Sequence, residues 1–520
     1  MMSLPRNLPR LFVVAILGGT LAFASASAAV PTPAAGAPGA PPAAAAAADQ
    51  KATIAPLASS LGGLVTSSAV LHPQETGIVV MALPERRVVY SRQGDRPLKP
   101  ASTLKILTTA TSLALLRPEF VPTTPIYADA DIDASGVLSG NLYLQGRGAP
   151  DLVGESFWLI ARRLADLGLK KVTGNLVADE SYFDTVRRPP GWPAPTADSW
   201  YNAPQGALSC NFNVVTVRVA PSPLLGSRPD LTLEPASSYF QVLNRATTAA
   251  QTTDLRVDRL YEEGQNRIVV GGTVRRGGGT EIVNRSVEEP ALWSLTAFRE
   301  IAKGLGIEVA GKLEIGTVPA GARLLYTHDS KPLASLVRDM NKNSNNFMAE
   351  MLLKTLGAQF VQTPGTTEGG LEMVRAYLAG LGLDPADMRI VDGSGLSDND
   401  RMPAMMMAEI LARARADFEV GPELVSSLPI GGADGTLADR FASEEGRRRV
   451  RAKTGRVAGA ISLAGYASNR DGHVLAFAIF ANQPRGTLDA VHRSLDRLVD
   501  AMAASRDTDL VAGPTAAPAQ

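Results

Sequence analysis

The chain has 520 residues, 51 basic and 51 acidic side chains, four histidines and one cysteine, Cys210. Balanced charge and short Lys/Arg runs exclude recognition of nucleic acid through a basic field, and "RRR" at 447–449 reads as a solvated face. One cysteine excludes an intrachain disulfide, and neither it nor His72, His328, His473 and His492 fall at metal-ligand spacing, so no metal or cofactor is expected.

From the N-terminus, Arg6 and Arg10 precede "LFVVAILGGTLAF" and then "ASASAA". This is the charged region, apolar region and small-residue cleavage site of a secretory signal, too short to span a bilayer comfortably. Cleavage near residue 28 is predicted, with a mature protein outside the cytoplasm, in the periplasm. Residues 29–52 form a Pro/Ala-rich linker with nothing to bury, and 506–520 read as a similar disordered tail.

"TGIVVMALPERRVVYSR" (76–92) predicts a hairpin, and an apolar helix follows in "PASTLKILTTATSLALL" (100–116). At the other end, 455–482 reads as strand, turn "NRDG" and strand, followed by a helix with Leu488, Val491, Leu495, Leu498, Val499 and Met502 on one face. Strands at both ends with helices beside them predict one α/β domain whose ends share a sheet. The stretch between is different. From about Thr124 to Leu324 short β-like runs alternate with turn residues, a β-rich insertion. The echo "SGNLYL", "TGNLVA", "AGKLEI" is read as three unrelated hairpins rather than a repeat.

A serine needs a base, and the histidine routes are weak. His473 and His492 read as surface residues, and "DGSGLS" lacks the first glycine of a nucleophile elbow. Ser102 and Lys105 offer another route. At i and i+3 they share a helix face, and a desolvated lysine loses its proton near neutral pH. Ser102 at the helix start also presents its own N–H toward an oxyanion. Alone, S-x-x-K is weak: average usage predicts roughly two chance copies in this length, and an N-cap with a snorkelling lysine would look the same.

"KTG" (Lys453, Thr454, Gly455) before an apolar strand can hold a carboxylate through ammonium and hydroxyl, while the glycine admits a ligand backbone. S-x-N has three candidates: Ser209 to Asn211, Ser344 to Asn346, and Ser397 to Asn399. Context favours Ser344, between two helical segments of the α/β part, where a helix N-cap role would coexist with catalysis.

S-x-x-K, S-x-N and K-T-G in this order form the signature of serine penicillin-binding proteins and β-lactamases. The gap of about 240 residues between Ser102 and Ser344 discriminates further. With "LYLQGRGAPDL", "GWP", "YNAPQGALSCNFN", "DGSGLS" and "GGADGTL", the chain resembles, from about Leu57 to Ala504, the low-molecular-mass class C penicillin-binding proteins, the D-alanyl-D-alanine carboxypeptidase/endopeptidase (peptidase S13) family.

The resemblance implies a transpeptidase-like α/β (α+β) domain, an antiparallel sheet flanked by helices, built from 53–124 and 325–505. The insertion, 125–324, would contain two nested subdomains, one at about 220–287. It implies acylation of Ser102 with Lys105 as base, and proton relay through Ser344. Asn346 would hold the substrate amide, and Lys453, Thr454 and Gly455 the terminal carboxylate region. Backbone N–H groups of Ser102 and Arg456 would form the oxyanion hole. The implied partners are peptidoglycan stem peptides, ending in D-Ala-D-Ala or crosslinked, and β-lactams as covalent inhibitors; a homodimer is left open. One departure stands out: the family places an aspartate five residues before the aromatic of "aromatic-x-Ala-Pro", to bind the amino group of the stem's diamino acid. Here Tyr201 is the aromatic and Thr196 holds that place, with Asp198 out of register. The competing readings are a β-lactamase-like hydrolase, for which no acidic loop near the site can be placed, and a silent cell-wall scaffold.

Overall fold

The computed structural model describes residues 55–193 and 198–511. The predicted leader and linker, Thr196 and residues 512–520 lie outside them.

β1 (Thr76–Ala82), β2 (Arg87–Arg92), β3 (Val450–Val457), β4 (Ala460–Ser468) and β5 (Val474–Asn482) form one antiparallel sheet in the order β2-β1-β5-β4-β3. The two ends of the chain therefore meet in one sheet, β1 pairing with β5 from Thr76↔Ala481 to Ala82↔Leu475. The inner strands read as continuous apolar runs because both faces are covered. Ile78, Val80, Phe477 and Ile479 pack with Leu57 and Leu61 of α1 (Pro56–Thr66) and with Leu495 and Leu498 of the C-terminal helix (Leu488–Ala504). Their neighbours Val79, Met81, Ala478 and Phe480 point the other way. That face packs against α5 (Ala404–Ala416) and shares one core with α2 (Lys105–Leu116), α3 (Leu333–Asn343) and α4 (Asn346–Phe360).

Three expectations change here. The run from Gly455 is two strands, not one: Gly459, at φ +70°, turns β3 into β4, and K-T-G lies inside β3. The tail does not lose structure at 506, since Asp507–Leu510 form a 3-10 turn that buries Leu510. The helix of 100–116 opens with a 3-10 turn, Ala101–Leu104, before α2 begins.

The insertion has its own core, in which Trp293 packs at a tilt against Phe240, ring centroids 5.1 Å apart, and donates from Nε1 to the Cys210 carbonyl at 3.1 Å. Its first and last strands, Thr123–Ala128 and Arg323–Asp329, pair with each other, so the boundaries expected at 125 and 324 fall inside them. Strand Val214–Ala220 holds both Asp230–Glu234 and Glu281–Ser286, and a second small sheet is built on Gln265–Arg275.

The sequence echo is a true structural repeat. Leu142–Gln145, Leu176–Asp179 and Leu313–Ile315 are adjacent parallel strands in register, Leu142↔Leu176↔Leu313. Asn141 Oδ1 accepts from the Asn175 N–H at 2.7 Å, and Asn175 Oδ1 accepts from the Lys312 N–H at 2.8 Å. A side chain on Gly174 would strike Asn141 Oδ1 at 2.5 Å, which explains glycine before each rung. Asn175→Ala leaves the Lys312 N–H unpaired and is expected to cost about 1–3 kcal/mol. Thermal unfolding followed by circular dichroism should show a lowered midpoint.

Candidate active site

Ser102 sits in the 3-10 turn that leads into α2, and Lys105 is the first residue of α2. The turn is held from below by β4, whose Ser462 Oγ donates to the Pro100 carbonyl at 2.6 Å. Ala101 is left-handed, at φ 48°, a conformation costing of order 1–3 kcal/mol that places Ser102 at the cleft. Gly455 of β3 makes the close approach possible. A Cβ there would lie 2.8 Å from the Ser102 nitrogen and 2.1 Å from Ser462 Oγ.

Lys105 is fully buried and donates three hydrogen bonds: to Ser102 Oγ at 3.0 Å, Asn346 Oδ1 at 2.6 Å and the Ser394 carbonyl at 2.8 Å. All three acceptors are neutral. Burial lowers its pKa from the usual lysine range to about 7, against the opposing pull of Asp392, Glu350 and Asp400. Those carboxyls are the functional surroundings that sequence reasoning missed. Glu350, one turn after Asn346 on α4, takes the Gly393 N–H on both oxygens at 3.0 and 3.1 Å, and burial beside Asp392 raises its pKa to about 8. Asp400, buried beside the same group, is raised to about 10. Asp392 accepts from the N–H groups of Ser394, Gly395 and Ser397 and so shapes the loop carrying the Ser394 carbonyl. The signal was present in "DGSGLS" and in the i, i+4 spacing of Asn346 and Glu350, but a single sequence does not show that these face one lysine.

The second lysine–serine pair faces the same cleft. Lys453, also fully buried, donates to Ser344 Oγ at 2.7 Å and to the Thr454 carbonyl at 2.8 Å. Burial and then Lys105 push its pKa well below the lysine range. Ser344 ends α3 in a left-handed conformation, φ 55°, and it is Asn345, not Ser344, that caps α4 by accepting from the Met348 N–H at 3.1 Å. Thr454 Oγ1 lies 2.8 Å from Thr436 Oγ1. The cleft, about 1090 Å³, is lined by Ser102, Ser344, Asn346, Thr454, Gly455 and Arg456, among others.

The other S-x-N candidates are engaged elsewhere. Ser209 is buried in the insertion, bound to the Gly206 carbonyl, and Ser397 Oγ donates to the Pro190 carbonyl. Asp198 is held by Arg285 at 2.9 Å. His492, read as a surface residue, lines the cleft and is half-buried. The insertion reaches into the site through residues 187–193 and 198–202. Arg188 pairs with Glu288, Trp192 Nε1 donates to Asp392 Oδ2 at 2.8 Å, and the Tyr201 carbonyl accepts from Asn346 Nδ2 at 3.0 Å. Among the described residues no group of three or more His, Cys, Asp or Glu side chains is placed to hold a metal ion.

A serine with a buried amine at 3.0 Å and backbone donors nearby can perform acyl transfer. The sequence model of the D-Ala-D-Ala carboxypeptidase 3 (S13) family matches residues 58–504. The chain belongs to this family. As an S13 member it is a serine-type hydrolase. It is 32% identical over 437 residues to a D-alanyl-D-alanine carboxypeptidase of Actinomadura sp. (strain R39), covering 81% of this chain and 80% of that protein. It is 27% identical over 410 residues to D-alanyl-D-alanine carboxypeptidase DacB of Haemophilus influenzae, covering 78% and 85%. The crystal structure of penicillin binding protein 4 (dacB) from Haemophilus influenzae superposes with a TM-score of 0.73 at 25% identity, covering 85% of this chain and 97% of that one.

Gly455→Ala tests the packing of this S13 site. The added methyl must displace the Ser102 turn or Ser462, so the rate of penicillin acylation, followed by stopped-flow fluorescence, should fall at least 100-fold.

Proposed function

We infer that the protein is a penicillin-binding serine D-alanyl-D-alanine carboxypeptidase that also cleaves crosslinked stem peptides of peptidoglycan as a DD-endopeptidase. The observation that carries this reading is the 3.0 Å contact between buried Lys105 and Ser102 in an S13 chain. Neutral Lys105 takes the proton of Ser102, whose Oγ attacks the carbonyl carbon of the penultimate D-alanine. The N–H groups of Ser102 and Arg456 stabilise the oxyanion, one such donor being worth about 3 kcal/mol of barrier. Ser344, hydrogen-bonded to Lys453, passes a proton to the departing amine. Asn346 orients the substrate amide, and Lys453 with Thr454 holds the terminal carboxylate. Water then hydrolyses the acyl-enzyme. A β-lactam acylates the same oxygen, but its opened ring keeps the leaving group attached.

In this reading 53–124 and 325–505 carry the chemistry, and the insertion supplies cleft wall. The predicted leader places the enzyme in the periplasm, and among the described residues no helix is long and apolar enough to cross a membrane. Crosslinked substrate is supported by a cleft far larger than a dipeptide. Mass spectrometry of muropeptides incubated with the mature protein should show loss of one D-alanine and cleavage of crosslinks; rapid multiple turnover of nitrocefin would instead favour a β-lactamase.

Two further outcomes are expected. Labelling by fluorescent penicillin disappears in Ser102→Ala and persists, slowed, in Ser344→Ala; no labelling of the wild type would favour a silent scaffold. The pH dependence follows from the sign of the Lys105 shift. Its pKa is lowered to about 7, so the neutral base accumulates as pH rises through 7. The acylation rate constant should therefore climb with an apparent inflection near pH 7 and level off above it. Lys105→Arg, charged throughout, should remove this limb together with the activity.

A further inference from the structure

Behind the wall formed by Trp200 and Tyr201 lies a second cavity of about 620 Å³, which shares those two residues and Asn346 with the catalytic cleft. It is lined by the start of α4 and by the insertion, and apart from Asn346 it contains none of the groups used in the proposed reaction.

Three asparagines in it share one hydrogen-bonding state. Asn211 Oδ1 accepts from the Gly154 N–H at 3.0 Å, Asn345 Oδ1 from the Met348 N–H at 3.1 Å, and Asn284 Oδ1 from the Thr216 hydroxyl at 2.8 Å. Backbone N–H donors decide the orientation of the first two amides, since only an oxygen can accept from them. Each amide NH₂ then has no protein partner among the described residues. The cavity thus presents amide donors already fixed in place, with exposed Glu155 as an acceptor and Glu234, paired with Arg218 at 3.7 Å, as a second carboxylate at its edge. The rings of Trp200 and Tyr201, 46% and 42% exposed, stand edge to face with centroids 5.9 Å apart.

This set of groups selects a ligand class. The carboxylate of Glu155 disfavours an anion, and among the described residues the cavity lining supplies no Lys or Arg to hold one. Paired donors and acceptors suit hydroxyl and acetamido groups, and exposed aromatic faces suit the C–H face of a pyranose ring. We propose that this cavity is a subsite for the N-acetylated amino-sugar chain of peptidoglycan, seating the glycan while its stem peptide enters the catalytic cleft. An extended stem of four residues spans about 13 Å, and the cavity and the cleft adjoin at Trp200, Tyr201 and Asn346, which line both. The identity of the glycan rests on the peptidoglycan reading above; the donor and acceptor arrangement does not.

The test uses the mature protein and peptide-free glycan strands released from peptidoglycan by an amidase. Calorimetric titration should show saturable binding. Asn284→Leu, which removes one donor, and Thr216→Trp, which fills the cavity, should each weaken it at least fivefold. Both variants should keep kcat/KM within twofold on a glycan-free peptide ending in D-Ala-D-Ala, and lose about fivefold on the same peptide carried by its sugar. Retained labelling by fluorescent penicillin shows that each variant is folded. Absence of saturable glycan binding by the wild type, or unchanged binding in both folded variants, overturns the subsite. Failure of the wild type to take up penicillin or release D-alanine overturns the carboxypeptidase reading instead, and the glycan titration is read independently of it.

Discussion

Burying the amine of Lys105 is the constraint around which the catalytic half is arranged. An ammonium removed from water costs several kcal/mol unless its hydrogen bonds are replaced. Here they are replaced by Ser102 Oγ, Asn346 Oδ1 and the Ser394 carbonyl, which satisfy the geometry without supplying a formal negative charge in contact. The carboxyls of Glu350, Asp392 and Asp400 stand in the surrounding shell, and their pull is smaller than the cost of burial. The result is a lysine poised near neutrality, with each of its acceptors delivered by a different segment: the turn before α2, the start of α4, and the loop after Gly393.

The same requirement accounts for the backbone outliers. Ala101 and Ser344 are both left-handed, and each sets a serine hydroxyl against a buried lysine. Strain of this kind persists only where neighbouring packing over-determines it. Gly455, Ser462 and the Pro100 carbonyl do so at the first position. Lys453 is pushed below the usual lysine range first by its burial and then by the charge of Lys105, whereas burial alone lowers Lys105.

The insertion is joined to this machinery by few but specific contacts. Trp192 is bound to Asp392, the residue that shapes the loop under Lys105, and Tyr201 is bound to Asn346, which contacts Lys105 directly. Salt bridges from Arg187 to Glu180 and Arg188 to Glu288 hold the base of that segment against the insertion's own core. The cleft wall and the base are therefore positioned by shared residues, and the cavity behind the wall belongs to the same construction.

Much of this was legible without coordinates. The order S-x-x-K, S-x-N, K-T-G and the long gap between the first two named the chemistry, because an amine-activated serine and a carboxylate anchor need those residue types at short local spacing. Strands at both ends of the chain with helices beside them announced a sheet that the two ends share. The three-strand repeat was misread, since glycine and asparagine at a turn signal a bend wherever they occur. Only the parallel register, with asparagine side chains bridging rungs about 34 and 137 residues apart in sequence, shows why they recur. Likewise "DGSGLS" and Glu350 carried no marker of their proximity to Lys105. Local sequence determines which groups can react and which backbone bends; which buried charges see one another is settled by long-range packing, because electrostatic shifts depend on distance in space and on the exclusion of water.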